Sequence, residues 1–380
     1  MPFSSLGLSE QLVKAITEQG YSQPYPIQQQ AIPVILNKKD LMGIAKTGSG
    51  KTASFVLPIL EMAKHFKGTK NRHVSALVLV PTRELAVQIE EVFHSFMQHL
   101  PEKIKTMAVY GGVSINPQMM HLQGVEILVA TPGRLLDLLQ SNALSLSEVE
   151  LLVIDEADKM LNLGFRDEMN KLIALLPSKR QTILFSATLD SDISTIKENL
   201  LHKPIVVEIE PEAEHLDLIT QTAYQCEDER KGPLLRYLIK ENKMEQVLVF
   251  VSSGMRADSV ALKLTNNGIK AMSLHGKKSQ GARTKALKEF KEGAIQVLVA
   301  TDLASRGIDI QFLPFVVNYE LPRSPKDYIH RIGRTGRAES AGEAISLVAP
   351  KEMHHFTVIQ KKMKRRVTLT QTHTLNLHGY

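Results

Sequence analysis

The sequence predicts an α/β fold made of two tandem domains, each a parallel sheet covered by helices on both faces. Three observations predict it. Short apolar, β-branched runs alternate with longer segments whose apolar residues recur at helical spacing. Most of the runs are continuously apolar or nearly so, as expected of strands buried on both faces. The chain also repeats itself: Ile104-Lys105-Thr106-Met107-Ala108-Val109-Tyr110-Gly111 resembles Ile269-Lys270-Ala271-Met272-Ser273-Leu274-His275-Gly276, and Ile127-Leu128-Val129-Ala130-Thr131 resembles Val297-Leu298-Val299-Ala300-Thr301, at offsets of 165 and 170 residues. Two matches kept in order are the mark of a duplicated unit.

Taken in order, residues 76–80, 125–129, 151–154, 182–185 and 205–207 read as strands of a first domain. Residues 247–251, 295–299, 316–319 and 344–348 read as strands of a second. Helical spacing covers residues 83–100 and 255–266 between them. The acidic, Pro-containing stretch 208–215 separates two apolar patterns and reads as the boundary. The expected organisation is a domain over 1–210, a linker over 211–217, a second domain over 218–367 and a short polar tail over 368–380. That tail holds too few apolar residues for a core of its own. The basic run Lys361-Lys362-Met363-Lys364-Arg365-Arg366 before it suits either a solvated helix end or contacts to phosphates.

Composition narrows the function classes. With 380 residues, 43% hydrophobic and 23% charged, the chain is long enough for two ordinary cores. No apolar run approaches the roughly 18–20 residues of a membrane span. Cys226 is alone, so an internal disulfide and a cysteine-rich zinc site are excluded. His354-His355 has no partner at metal-ligand spacing. Met1-Pro2-Phe3-Ser4-Ser5 lacks the basic and apolar regions of a signal peptide, so the expected location is the cytoplasm. The net charge of +6 is compatible with a polyanion. With no Trp and 5% aromatics, recognition by the nucleic-acid backbone is favoured over stacking of bases.

Two segments carry the chemistry. Ala45-Lys46-Thr47-Gly48-Ser49-Gly50-Lys51-Thr52 is a Gly-rich turn before Lys-Thr. Its backbone N–H groups can wrap phosphates, Lys51 can reach the β and γ phosphates, and the Thr52 hydroxyl can sit on Mg²⁺. Asp155-Glu156-Ala157-Asp158 follows the apolar run at 151–154. Acids at the end of a buried strand can hold the same Mg²⁺ and orient an attacking water. Together, in this order, they point to hydrolysis of a nucleoside triphosphate. Alone, the acids would read as helix caps.

With these motifs placed, nearly the whole chain, from Phe3 to about Val367, resembles the DEAD-box RNA helicases, the bacterial RhlE-type branch in particular. Gly20-Tyr21-Ser22-Gln23-Pro24-Tyr25-Pro26-Ile27-Gln28 looks like the Q motif. Pro81-Thr82-Arg83-Glu84-Leu85-Ala86, Gly111-Gly112 and Thr131-Pro132-Gly133-Arg134 look like the RNA-facing motifs, and Ser186-Ala187-Thr188 follows. Gln280 with Arg283, residues 300–309, and His330-Arg331-Ile332-Gly333-Arg334-Thr335-Gly336-Arg337 continue the pattern. Three positions depart from it: Tyr25 where Thr is usual, Lys46 where Gln is usual, and Ser305 where Ala is common.

The resemblance implies two RecA-like domains, ATP with Mg²⁺, and an RNA-stimulated ATPase that locally separates short duplexes or remodels RNA–protein complexes. ATP would be held by Thr47, Gly48, Ser49, Gly50, Lys51 and Thr52, by Gln28 on the adenine edge, by Phe3 or Tyr21 against the base, and by Asp309 at the ribose. Asp155 and Thr52 would be the Mg²⁺-linked groups and Glu156 would orient the water. Arg334 and Arg337 would act as arginine fingers from the second domain. Pro81, Thr82, Arg83, Gly112, Thr131, Gly133 and Arg134, with Gly276, Gln280, Arg283 and Thr301, would hold RNA by phosphate and sugar, independently of base sequence. Asp158, Ser186, Thr188 and His330 would couple the two sites. For any single Gly or Thr a turn or cap is the ordinary reading; the ordered set carries the weight. A monomer is expected, with ribosomal or RNA-decay proteins as candidate partners. The rival readings are an ATP-dependent RNA clamp that does not unwind, and a DNA translocase.

Overall fold

The structure, a computed structural model, describes residues 1–45, 48–66, 72–189, 191–209, 219–302, 313–336, 342–373 and 375–380. The chain divides into two compact units, Met1–Pro211 and Glu212–Tyr380. Thr47, Asp309, Arg337, the departures Lys46 and Ser305, and the expected linker at 211–217 lie outside the described residues.

The first unit is built on strands β1 (Leu41–Ile44), β2 (Ala76–Leu79), β3 (Thr106–Val109), β4 (Ile127–Ala130), β5 (Leu151–Ile154), β6 (Gln181–Ser186) and β7 (Ile205–Glu208). They form one sheet in the order β3-β4-β2-β5-β6-β1-β7, every pair parallel. Its central strands are buried throughout, and alternate side chains enter two separate cores. Ala76, Val78 and Val80 join helices Glu10–Glu18, Pro26–Leu36, Lys51–Ala63 and Arg83–Met97 on one face. Leu77 and Leu79 join Pro132–Gln140, Ala157–Asn162 and Arg166–Ala174 on the other. Two covered faces explain why most of the strands read as apolar runs.

The second unit repeats this plan strand for strand. Its strands are β8 (Ile219–Gln225), β9 (Val247–Val251), β10 (Ala271–Leu274), β11 (Val297–Thr301), β12 (Phe315–Asn318), β13 (Gly342–Val348) and β14 (Thr368–Gln371). Their order is β10-β11-β9-β12-β13-β8-β14, again all parallel. Each number is its first-unit counterpart plus seven, so the segments that matched in sequence, β3 with β10 and β4 with β11, hold equivalent places.

The duplication also exposes a contrast. The helix after the first strand of each sheet begins with a lysine, Lys51 in one and Lys231 in the other. Lys231 is fully buried, with Nζ 2.8 Å from Glu352 Oε2 and 3.3 Å from Asp228 Oδ1. A buried ammonium is tolerated only when paired, and the second unit supplies both carboxylates from its own chain.

The polar tail expected from residue 368 is corrected by β14. Thr368 to Gln371 pair with Thr222 to Gln225 of β8 and take the edge place that β7 holds in the first sheet. Leu375 and Leu377 pack on the core beside helix Lys231–Glu241, Arg230 donates to the Leu375 carbonyl at 3.0 Å, and Arg236 donates to the backbone oxygen of Tyr380 at 2.6 Å. Thr-Leu-Thr-Gln is too short and polar to show as a strand alone; its partner, far back in the chain, makes it one. Removing 368–380 should therefore destabilise the second unit. Loss of two packed leucines and an edge strand is worth about 2–4 kcal/mol, and at about 2–4 °C per kcal/mol the melting temperature should fall by roughly 5–15 °C. An unchanged melt of the shortened chain would show the segment to be dispensable.

Candidate functional site

All strands of the first sheet run the same way and end within two residues of one level: Ile44 is paired with Ser186 and Glu208, Leu79 with Ala130 and Ile154, and Ile154 with Leu184. The segments singled out in the sequence therefore emerge along one edge, the carboxyl ends of the strands, where open α/β sheets bind ligands.

The turn after β1 is set by glycines. Gly48 and Gly50 both have φ +87°, a left-handed conformation that a side chain would strain. Gly50 also has neighbours: an added Cβ would lie 2.6 Å from Gln28 Nε2 and 2.9 Å from the Tyr25 ring. Lys51 opens the helix, is 7% exposed, and donates from Nζ to the Ala45 carbonyl at 2.7 Å. Ser49 and Thr52 lie in the same turn. Gln28 is fully buried. Its Nε2 donates to the Gly50 carbonyl at 3.1 Å and its Oε1 accepts from the Tyr25 N–H at 2.9 Å. The amide thus caps its own helix and ties it to the glycine turn. Phe3 is 4% exposed and Tyr21 packs on Phe96 with ring centroids 5.8 Å apart, so both belong to the core beneath this corner.

The acidic segment follows β5. Asp155 is 2% exposed and accepts from the Glu156 N–H at 2.8 Å. Burial pushes its carboxyl up to about 6, with Lys51 pulling the other way and Glu156 adding to the rise. Glu156 and Asp158 are also buried. Among the described residues Glu156 Oε2 and Asp158 Oδ1 have no hydrogen-bond partner. At the end of β6, Ser186 donates to the Thr188 carbonyl at 2.7 Å and accepts from the Thr188 N–H at 3.2 Å, while Thr188 Oγ1 is buried with no such partner. Buried polar atoms left unpaired are costly, and each one calls for an explanation; those of Glu156, Asp158 and Thr188 lie on the segments that follow β5 and β6.

The neighbouring strand ends carry the remaining first-unit residues. Thr82, after the buried Pro81, caps helix Arg83–Met97 by accepting from the Leu85 N–H at 3.3 Å. Arg83 lies against Gly112, whose φ is +80° and where a Cβ would come within 2.2 Å of the guanidinium. Thr131 stands at the N-cap position of helix Pro132–Gln140 without a side-chain capping bond, and Gly133 in its first turn leaves open space. Arg134 donates to the Val113 carbonyl at 2.7 Å, joining that turn to the Gly111–Gly112 loop. These contacts gather Thr82, Arg83, Gly112, Thr131, Gly133 and Arg134 along the strand ends.

In the second unit Gly276, exposed, follows β10, Gln280 and Arg283 lie in the first turns of helix Gln280–Lys291, and Thr301 ends β11. His330 is exposed and Arg334 is half-buried. Sequence reasoning missed Arg331, which is 2% exposed, forks onto Asp302 at 2.5 and 2.7 Å, and stacks over Phe250 at 4.9 Å. No sequence signal marks it among the other arginines of the motif, because its burial and its carboxylate partner are set by the fold. Sequence reasoning also missed Asp258. Partial burial opposes its ionisation, but bonds from Ser273, Lys278 and His275 hold its carboxyl down at about 2, and they fix the turn that leads into Gly276.

Comparison with known proteins follows the same outline. Residues 25–196 match the DEAD/DEAH box helicase family and residues 230–339 the helicase conserved C-terminal domain. The chain is 40% identical over 375 residues to the ATP-dependent RNA helicase CshA of Listeria monocytogenes, covering 98% of this chain and 71% of that one. It is 38% identical to the DEAD-box ATP-dependent RNA helicase RhpA of Helicobacter pylori, covering 98% and 75%. Among solved structures, S. cerevisiae Dbp5 bound to RNA and ADP BeF3 is similar with a TM-score of 0.83 and 30% identity, covering 98% of this chain and 96% of that one. A phosphate turn, a buried acidic strand end and a basic second unit in one order, joined to this likeness over nearly the full length, place the chain in the DEAD-box family of ATP-dependent RNA helicases.

Proposed function

We propose that this helicase hydrolyses ATP at the first unit's strand edge when RNA is bound, and uses the cycle to separate short duplexes locally or remodel RNA–protein complexes. The observation that carries the residue assignment is the concentration of Lys51, Asp155, Glu156, Asp158 and Thr188 at that edge, with buried oxygens of Glu156, Asp158 and Thr188 unpaired. The clamp and DNA-translocase readings are not favoured, because the similar proteins are RNA helicases and Dbp5 binds RNA.

The roles follow from chemistry. The Gly48–Gly50 turn and the helix N-terminus offer N–H groups to phosphates, and Lys51 places its charge on the β and γ phosphates. Glu156 orients the attacking water. Gln28 positions the turn and selects adenine, Phe3 and Tyr21 support that corner, and Thr47 and Asp309 complete the nucleotide contacts. Arg334 and Arg337 stabilise charge on the transferring phosphoryl group, so hydrolysis needs both units. The named Thr, Gly and Arg residues, with Pro81, Gln280 and Arg283, hold the RNA backbone; Asp158, Ser186, Thr188 and His330 couple the two activities. Thr52 and Asp155 suit a hard divalent cation. Both offer oxygen, the donor type that Mg²⁺ takes alongside substrate phosphates. Mg²⁺ would supply charge neutralisation of those phosphates. Among the described residues no helix is long and apolar enough to cross a membrane. The proposal includes a cytoplasmic monomer that meets ribosomal or RNA-decay proteins.

Lys51→Ala should abolish RNA-stimulated ATPase while the thermal melt is kept, and Glu156→Gln should bind ATP and RNA yet turn over slowly. Wild-type ATPase in either folded variant would remove that assignment. Arg334→Ala should lower turnover by on the order of 10³-fold or more, with RNA affinity of the full chain largely kept; a turnover loss matched by equal loss of RNA binding would make Arg334 an RNA contact instead. Asp155→Asn tests the buried carboxylate. A carboxyl raised to about 6 contributes stability fully present below 3.8 and lost as pH rises through 6. The variant should therefore be more stable than wild type at pH 7.5, by on the order of 1–3 kcal/mol, with the gap closing toward pH 4 in urea or thermal melts. An equal gap at both pH values would contradict the burial cost.

A further inference from the structure

The lysine that follows the acidic segment has no part in the assignments above, yet it makes the one ion pair found for Glu156 among the described residues. Glu156 is a non-glycine residue in the left-handed region, φ 54° and ψ 46°, at the cap of helix Ala157–Asn162. Its backbone is held from both sides: its N–H bonds Asp155 Oδ1 at 2.8 Å, and its carbonyl accepts from the Lys159 and Met160 N–H groups at 2.9 and 3.1 Å. This turn brings Lys159, three residues on, back over the Glu156 side chain, and Lys159 Nζ bonds Glu156 Oε1. The side chains are 14% and 5% exposed, so the pair is shielded from water. The other oxygen, Oε2, is buried with no hydrogen-bond partner.

We propose that Lys159 is a positioning residue for ATP hydrolysis: its ammonium pins one oxygen of Glu156 and leaves the other oxygen free and aimed to take the attacking water. A buried carboxylate held on a single left-handed residue needs such an anchor. With one oxygen tied, rotation about the last side-chain bonds is stopped and the second acceptor has a fixed direction. Without the tie the carboxylate can turn to other donors, and misplacement of this kind costs turnover rather than binding. Lysine suits the task because its flexible stem reaches back across one turn and sets a charge on that oxygen. Exposed lysine–glutamate pairs contribute little; this one is enclosed at the strand end that bears the reacting group.

The inference rests on the proposed role of Glu156 and is tested by a double-mutant cycle in the full chain. Lys159→Met keeps the stem and removes the charge, and Lys159→Arg keeps the charge. The readouts are steady-state RNA-stimulated ATPase, RNA affinity and a thermal melt. Lys159→Met should lower kcat by about 10- to 100-fold, with KM for ATP and RNA affinity within about twofold, and Lys159→Arg should recover most of the rate. Adding Lys159→Met to Glu156→Gln should slow that variant no further, because the amide no longer uses the anchor. Wild-type kcat in Lys159→Met beside a slow Glu156→Gln would overturn the inference alone, as would multiplicative losses in the double variant. Wild-type turnover in Glu156→Gln would overturn the role of Glu156 and this inference with it. If Lys159→Met lowers the melt, the Arg variant decides: a stable Arg chain with wild-type kcat supports the anchor, and a stable Arg chain as slow as Glu156→Gln overturns it.

Discussion

Parallel strands that end near one level are the constraint on which the rest of the molecule depends. Each crossover in such a sheet returns over a face and starts the next strand at the same end, so every loop after a strand opens on one edge. In the first unit that edge receives Lys51 after β1, Thr82 after β2, Gly112 after β3, Thr131 after β4, Asp155 after β5 and Thr188 after β6. Residues more than 130 positions apart become neighbours because Ile44 pairs with Ser186, while Ile154, on the other side of that strand, pairs with Leu184 two residues earlier. A slip of one residue would turn each strand's side chains to the opposite face, and two full cores forbid it.

The second physical theme is how buried charge is compensated. Lys51 and Lys231 begin equivalent helices in the two sheets, but only Lys231 is neutralised by two carboxylates of its own unit. Lys51 rests on a backbone carbonyl and feels the Asp155 carboxylate, which burial itself pushes toward the neutral form. One copy of the duplicated fold has thus closed this corner with ion pairs, and the other leaves its lysine on a backbone carbonyl at a helix N-terminus, an arrangement that suits the proposed phosphate contacts. Compensation of this kind also holds Arg331, which is fully engaged by Asp302, Asn318 and Glu320.

Much of the architecture was legible in the sequence because burial on both faces writes itself as largely apolar runs. The strands at 151–154 and 247–251 were read at their structural bounds, and the matched segments near Ile104 and Ile269 foretold the repeated strand order. β14 was not legible. Three of its four residues are polar, and its place is set by β8, a partner about 146 residues earlier, to which Thr368 pairs through Thr222. Gln28 was read in its ligand role, but the capping of its own helix and the bond to Gly50 needed coordinates, since either use suits an amide.

By itself the sequence determined the class of chemistry, because a glycine turn before Lys-Thr and acids at a strand end are local patterns whose function follows from a few consecutive residues. It also determined the number of units and the duplicated plan, because periodicity and repetition are properties of order along the chain. Only the tertiary structure decided which polar groups are spent and which are kept. It turned Arg331 and Lys231 into structural ion pairs, left Glu156 Oε2, Asp158 Oδ1 and Thr188 Oγ1 unpaired, and set Lys159 on the one remaining oxygen of Glu156. The physical reason is that the use of a charge depends on burial and on the nearest opposite charge, and both are fixed by distances between segments remote in the chain or by how a turn folds back on itself.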